Sequence, residues 1–215
     1  MIPQSLASQI IQDLESLPEL STAPMRKVRQ AYSKALRSQA ADAVLSVAEA
    51  IIADGRHRWV AYELIRHHPP AYRTLGSARL EALGQGINSW SSVDSFARTL
   101  SGPAWRDGLI AMDTIRGWAR SPDRWWRRAA LVSTVALNVR SHGGQGDVPR
   151  TLAICEMLVH DQDAMVVKAL SWALRELVVH DPQAVREFLQ THDAVLAARV
   201  RREVANKIAT GLKNP

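Results

Sequence analysis

The stretch NSWSSVDSFA, residues 88–97, sets Trp90 four positions before Asp94. On a helix that spacing puts ring and carboxylate one turn apart on the same face. Two chemistries fit the pair. In one, a packed ring lies beside a solvated helix acid. In the other, the ring grips a ligand and the carboxylate presents negative charge to it. PDRWWRRAALVS, 122–133, adds Trp125, Trp126, Arg127 and Arg128 at the start of another helical pattern, and SWALRE, 171–176, places Trp172 three residues before Arg175. Metal chemistry is not expected. His67 and His68 are adjacent, hence about 100° apart on a helix, and one cysteine, Cys155, excludes both an intrachain disulfide and a cysteine-based zinc site. The serines show no nucleophile context with a histidine partner, and SHGGQGD at 141–147 lacks the preceding strand and the Gly-Lys-Ser/Thr of a phosphate loop, so it reads as a flexible loop. No metal and no nucleotide cofactor is expected.

The elements that would carry these residues read as helices throughout. Period-2 strand patterns are missing, whereas helix-start grammar recurs. Ser121, Pro122 and Asp123 suggest an N-cap, a first-turn proline and a first-turn acid; Asp181 and Pro182, and Ser101 and Pro103, suggest the same. The expected helices span 4–16, 24–37, 40–53, 56–67, 70–84, 89–101, 103–119, 122–139, 148–160, 162–180, 182–191 and 193–212. The segments 57–68, 123–134, 163–177 and 197–209 look related, each starting polar and turning apolar and Ala-rich. Helix pairs at such spacing predict an all-α, HEAT-like α-solenoid of about six antiparallel pairs, forming a single domain over 1–215. In that arrangement Arg127, Arg128, Lys168, Arg175, Arg201 and Arg202 would line a basic concave face. The alternative is a set of solvated charges on the outer face.

Bulk composition supports a globular chain with a nucleic-acid bias. At 47% hydrophobic and 22% charged it is not a disordered sequence, and its formal net charge is +6. Residues 1–25 hold acids and no Lys or Arg, so the positive excess belongs to the body and points to a polyanion. Arginine richness from genomic base composition is the bland alternative. The longest apolar run, 129–139, is too short to span a bilayer, and the first residues lack the basic start of a signal peptide, so a cytoplasmic protein without membrane contact is expected.

In order and spacing, NSWSSVDSFA, PDRWWRRAALVS and KALSWALRELVVHDPQAV (168–185), with APMRKVRQ (23–30) and YELIRHH (62–68), resemble the AlkD-like DNA alkylation-repair glycosylases, a family of HEAT-repeat proteins. The resemblance spans nearly the whole chain. It implies a DNA glycosylase of base excision repair, a hydrolase that removes cationic N3- and N7-alkylated purines from duplex DNA; a monomer is the default expectation. It further implies that Trp90 and Asp94 are the family's Trp-x-x-x-Asp pair, Trp125 and Arg128 its Trp-x-x-Arg pair, and Trp172 its later cleft tryptophan. Asp94 would then stabilise charge on the sugar, Trp90 and Trp172 would form the walls, and Arg128 would hold a phosphate. Members often carry an aspartate directly after the first tryptophan, where this chain has Ser91. Two other classes stay open: a non-catalytic HEAT-repeat protein that binds distorted or branched DNA, and a protein-interaction scaffold whose groove holds an acidic peptide. Trp59, Trp105, Trp118 and Trp126 are assigned to packing.

Overall fold

The computed structural model describes residues 3–19 and 21–215; Met1, Ile2 and Leu20, which the 1–215 domain span includes, lie outside the described residues. Every regular element among the described residues is helical, and no helix is long and apolar enough to cross a membrane. Two compact units form, Met1–Gln85 and Gly86–Pro215.

In the Met1–Gln85 unit the elements are α1 (Pro3–Glu15), α2 (Thr22–Ala35), α3 (Ala41–Asp54), α4 (Arg58–Arg66), α5 (Pro69–Arg73) and α6 (Ser77–Gly84). Helix α3 packs against α1, α4 and α5. Ile10, Leu14, Leu45, Ile51, Tyr62, Leu64, Ile65, Leu80 and Leu83 form the core. The single helix expected over 70–84 is two. Thr74 is the C-cap of α5, Leu75 follows it, and Gly76 in extended backbone is the N-cap of α6.

In the Gly86–Pro215 unit α7 (Trp90–Phe96) continues through a π-helical turn (Ala97–Ser101) into α8 (Gly102–Arg106), followed by α9 (Met112–Ala119) and α10 (Arg124–Asn138). A 3₁₀ turn (Arg140–His142) leads to α11 (Val148–Met157), α12 (Ala164–Val178), α13 (Pro182–Thr191) and α14 (Ala198–Thr210). Helix α12 packs against both α10 and α14; α11 contacts α10 and α12, and α13 contacts α12 and α14. These three neighbours, α10, α12 and α14, are three of the four segments that look related in the sequence; the fourth, 57–68, is α4 of the Met1–Gln85 unit. The arrangement is compatible with an α-solenoid.

Several local expectations change. Ser101 and Pro103 do not start a new helix, because the chain widens into a π turn in which the Gly102 N–H donates to the Ala97 carbonyl. Pro103 has no N–H and would press on the carbonyl four residues back in a regular helix, and the wider turn relieves that crowding. The helix expected over 103–119 ends at Arg106 instead. Gly108, at φ +77°, allows a Schellman ending in which the Leu109 N–H reaches the Ala104 carbonyl at 2.8 Å. Asp123, not Ser121, caps α10: its Oδ1 accepts from the Trp125 N–H at 2.8 Å, leaving Pro122 outside the helix. Asp181 and Pro182 do start α13 as expected. The loop at 141–147, expected to be flexible, is sewn down: Gly146 N–H donates to the Leu137 carbonyl, Asp147 N–H to Asn138 Oδ1, and Arg106 Nη1 to the His142 carbonyl. A Cβ on Gly144 would lie 2.7 Å from the Asn138 nitrogen, so glycine is needed for close approach rather than for motion.

Candidate functional site

Ser89 starts α7 with a capping box. Its hydroxyl accepts from the Ser92 N–H at 3.2 Å, and the Ser92 hydroxyl accepts from the Ser89 N–H at 3.2 Å. Trp90 is therefore the first residue of a fixed helix, and it is 60% exposed. A tryptophan with that much ring in solvent is not a packing residue. Val93 and Phe96 are buried in the core, and Asp94 stays partly exposed.

Arg128 reaches Asp94 from α10. Its Nε donates to Oδ1 at 2.9 Å and its Nη2 to Oδ2 at 2.8 Å, a two-pronged ion pair; Nη1 donates to the Met165 carbonyl at 2.6 Å. The Arg128 side chain is 6% exposed and that of Asp94 17%. The packing behind them holds this geometry. Phe96 and Trp126 meet edge to face with centroids 5.9 Å apart, and Trp118 lies 5.0 Å from Trp126. The π turn is bonded to α10 by Ser101 and Ser133, whose hydroxyls lie 2.7 Å apart in the core, and a Cβ on Gly102 would meet Ala136 Cβ at 2.6 Å. These contacts bring α7 and α10 close enough for a short carboxylate and a long guanidinium to meet.

Trp172 on α12 is half-buried, with its indole N–H donating to Glu176 Oε1 at 2.9 Å. Above its ring, 5.5 Å from the centroid, is the guanidinium of Arg98, whose Nη2 also donates to His142 Nε2 at 3.3 Å. Arg98 lies four residues after Asp94, and its positive charge helps to keep Asp94 ionised. Burial still dominates. It pushes the Asp94 carboxyl above its ordinary value, against the hydrogen bonds and charge of Arg128 and the charge of Arg98. The structure thus assembles Trp90, Asp94, Arg128, Arg98 and Trp172 from α7, its π turn, α10 and α12. Sequence reasoning missed Arg98, although Trp90, Asp94 and Arg98 share one four-residue spacing that could have revealed it.

The other basic candidates fare differently. Arg127 is clamped, its Nε donating to Asp161 Oδ2 at 2.6 Å and its Nη1 to the carbonyls of Ser121 and Pro122. Arg175 donates to Ser171 Oγ and lies 3.9 Å from Glu203, and Arg201 pairs with Asp193. Lys168 and Arg202 are exposed. Trp125 is half-buried beneath the Arg124 guanidinium, 4.7 Å from its centroid, and Arg124 pairs with Asp163. Trp105 and Trp118 are buried, and Trp59 and Trp126 are half-buried.

A family model described as DNA alkylation repair enzyme matches residues 18–208. No curated protein and no solved structure matches the chain.

Proposed function

The chain belongs to the DNA alkylation repair enzyme family, with a role in the repair of alkylated DNA, and from that premise we propose that it is a DNA glycosylase excising cationic N3- and N7-alkylated purines from duplex DNA. The observation that carries the reading is a partly open Asp94 carboxylate, oriented by Arg128 and one helix turn from the exposed Trp90.

Alkylation at N3 or N7 gives the purine a formal positive charge, so it departs with the electron pair of the C1′–N bond and needs no proton. Positive charge then develops on the sugar, and a carboxylate beside C1′ stabilises it. A carboxylate offers about four acceptor sites, of which Arg128 uses two, so Asp94 retains lone pairs for the sugar or for a water. Water adds to C1′, and its proton passes to Asp94 or to solvent. Trp90 and Trp172 supply π faces that favour electropositive surfaces. Arg128 orients Asp94, and its uncommitted Nη N–H groups are what it retains for a phosphate. The reading includes a HEAT-like solenoid over residues 1–215, with Trp125, Arg127, Lys168, Arg175, Arg201 and Arg202 along the DNA path of a monomer in the cytoplasm. Lys168 and Arg202 would supply most of that path's charge, since Arg127, Arg175 and Arg201 have carboxylate partners. No cofactor takes part.

Methylated duplex is the test. Release of 3-methyladenine or 7-methylguanine above the spontaneous rate supports the proposal, and binding of methylated duplex without release of either base overturns it. In the second case the reading becomes a non-catalytic relative that recognises DNA by shape, which the engagement of both Asp94 oxygens by Arg128 would suit. Binding should weaken steeply with salt, as phosphate contacts release counterions.

A further inference from the structure

Among the charged side chains of the site, the two arginines differ in what they can offer a phosphate. Arg128 is nearly closed to solvent, with Nε and Nη2 on Asp94 and Nη1 on the Met165 carbonyl. An anion drawn to it also meets the Asp94 carboxylate, so the pair presents little net charge. Moving Arg128 onto a phosphate would leave Asp94 unpaired in a largely buried place, which is costly. Arg98 has no carboxylate within ion-pair distance among the described residues; its contacts are the face of Trp172 and one nitrogen of His142. It is half-exposed. Arg128 is neutralised by Asp94 and the nearby Glu176 is held by the Trp172 indole N–H, so the guanidinium without an ion-pair partner at the site is that of Arg98.

We propose that Arg98 is the residue that grips a DNA phosphate beside Asp94, held for that purpose by Trp172 and His142. The inference rests on duplex DNA being the ligand, as proposed above. A guanidinium held over an indole face keeps N–H groups that the ring does not occupy, and the contact reduces the freedom lost when they engage a phosphate. Its root on the π turn, one turn beyond Asp94, ties the phosphate position to the carboxylate. Because Arg98 also faces Trp172, a bound phosphate would fix the wall and the carboxylate against the same nucleotide. Arg98 is therefore a binding residue that positions the sugar, not a group that touches the breaking bond.

The experiment measures affinity for an undamaged duplex across a salt series with wild type, Arg98→Gln and Arg98→Lys, after the thermal transition of each has been recorded. Glutamine keeps a donor for His142 and removes the charge; lysine keeps the charge. The expected result is unchanged melting, affinity for Arg98→Gln about tenfold lower at low salt, and a log–log salt slope shallower by about 0.9, with the Arg98→Lys slope as in wild type. An unchanged slope in Arg98→Gln overturns the proposal. So does loss of the fold in both variants, which would make Arg98 a structural strut. Base release plays no part in this measurement. A wild type that binds but excises nothing defeats the glycosylase reading and leaves Arg98 its role, whereas excision with a flat slope change does the reverse.

Discussion

Asp94 and Glu203 are both largely removed from water in the Gly86–Pro215 unit, yet their surroundings treat them in opposite ways. Glu203, 4% exposed, accepts from the Ser171 hydroxyl at 2.6 Å and faces Arg199 at 3.3 Å, Lys213 at 3.4 Å and Arg175 at 3.9 Å. Burial pushes its pKa up, but the Ser171 hydrogen bond and the charges of Lys213 and Arg175 together bring it below the ordinary value. Asp94 has one paired arginine and the charge of Arg98, and there burial wins. Glu203 is over-compensated, as suits a group joining α12 to α14. Asp94 is under-compensated and partly open, so its charge is available to a ligand. A buried carboxylate–arginine pair alone does not make a site; the surplus or deficit of compensation, and an exposed ring beside it, distinguish the two.

The sharpest way to break this contrast is Asp94→Asn. Base release should fall at least ~100-fold, about 2.7 kcal/mol of barrier, with DNA affinity retained. Equal release by both proteins would mean that Asp94 is as structural as Glu203. Glu203→Gln should show the reverse pattern, lowering stability in urea unfolding by about 2 kcal/mol as its cations lose their partner, while release per folded molecule stays at the wild-type level. Loss of release without loss of stability would erase the distinction. Trp90→Ala is next. With so exposed a ring, the melting free energy should move by less than about 0.5 kcal/mol, while release falls by roughly tenfold through the missing π face. A stability loss larger than the activity loss would return Trp90 to packing.

The smallest effect is in pH, and its sign separates the two carboxylates. Asp94 has a raised folded pKa and must be ionised to act, so release should be lost as pH falls through a value above the ordinary 3.8. Glu203 has a lowered folded pKa, so its contribution to stability is present above the ordinary 4.5 and is lost only as pH falls through its depressed value. Activity should therefore fade on acidification before Glu203 loses its stabilising charge. Single-turnover release, corrected for spontaneous depurination, and melting curves over the same pH series test the order. Coincident loss of both would count against it.

Much of the site was legible in the sequence because it rides on local spacing. Trp90 and Asp94 share a helix face through a four-residue step, and Trp172 and Glu176 do the same on α12. The helical class was equally legible in the caps at Asp181 and Pro182 and in the apolar stripes of α10 and α12. The Schellman stop at Gly108 carried a readable signal, a glycine in WRDGL, that the 103–119 span passed over. The π turn was not readable in the same way. Ser101 and Pro103 match the grammar of a helix start, and only the packing of Gly102 and Ser101 against α10 shows that the helix continues instead. The seven residues at 141–147 misled for a related reason: their glycines serve close approach to Asn138 and His180, which composition alone reads as freedom.

The helical class, the helix faces and the Trp90–Asp94 juxtaposition were set by the sequence itself, because each depends on residues within about one turn of one another. The identity of the partner was not, since Asp94 and Arg128 are 34 residues apart and meet only once Phe96, Trp118 and Trp126 pack and the π turn seats Ser101 and Gly102 against α10. Tertiary structure also decided which cations are free. Six basic residues looked alike along the chain, but carboxylates 8 to 34 residues away in sequence claim four of them, Arg127, Arg128, Arg175 and Arg201, and leave Lys168 and Arg202 exposed. Charge is a property of a residue, whereas unpaired charge is a property of its surroundings, and those exist only once the helices have packed.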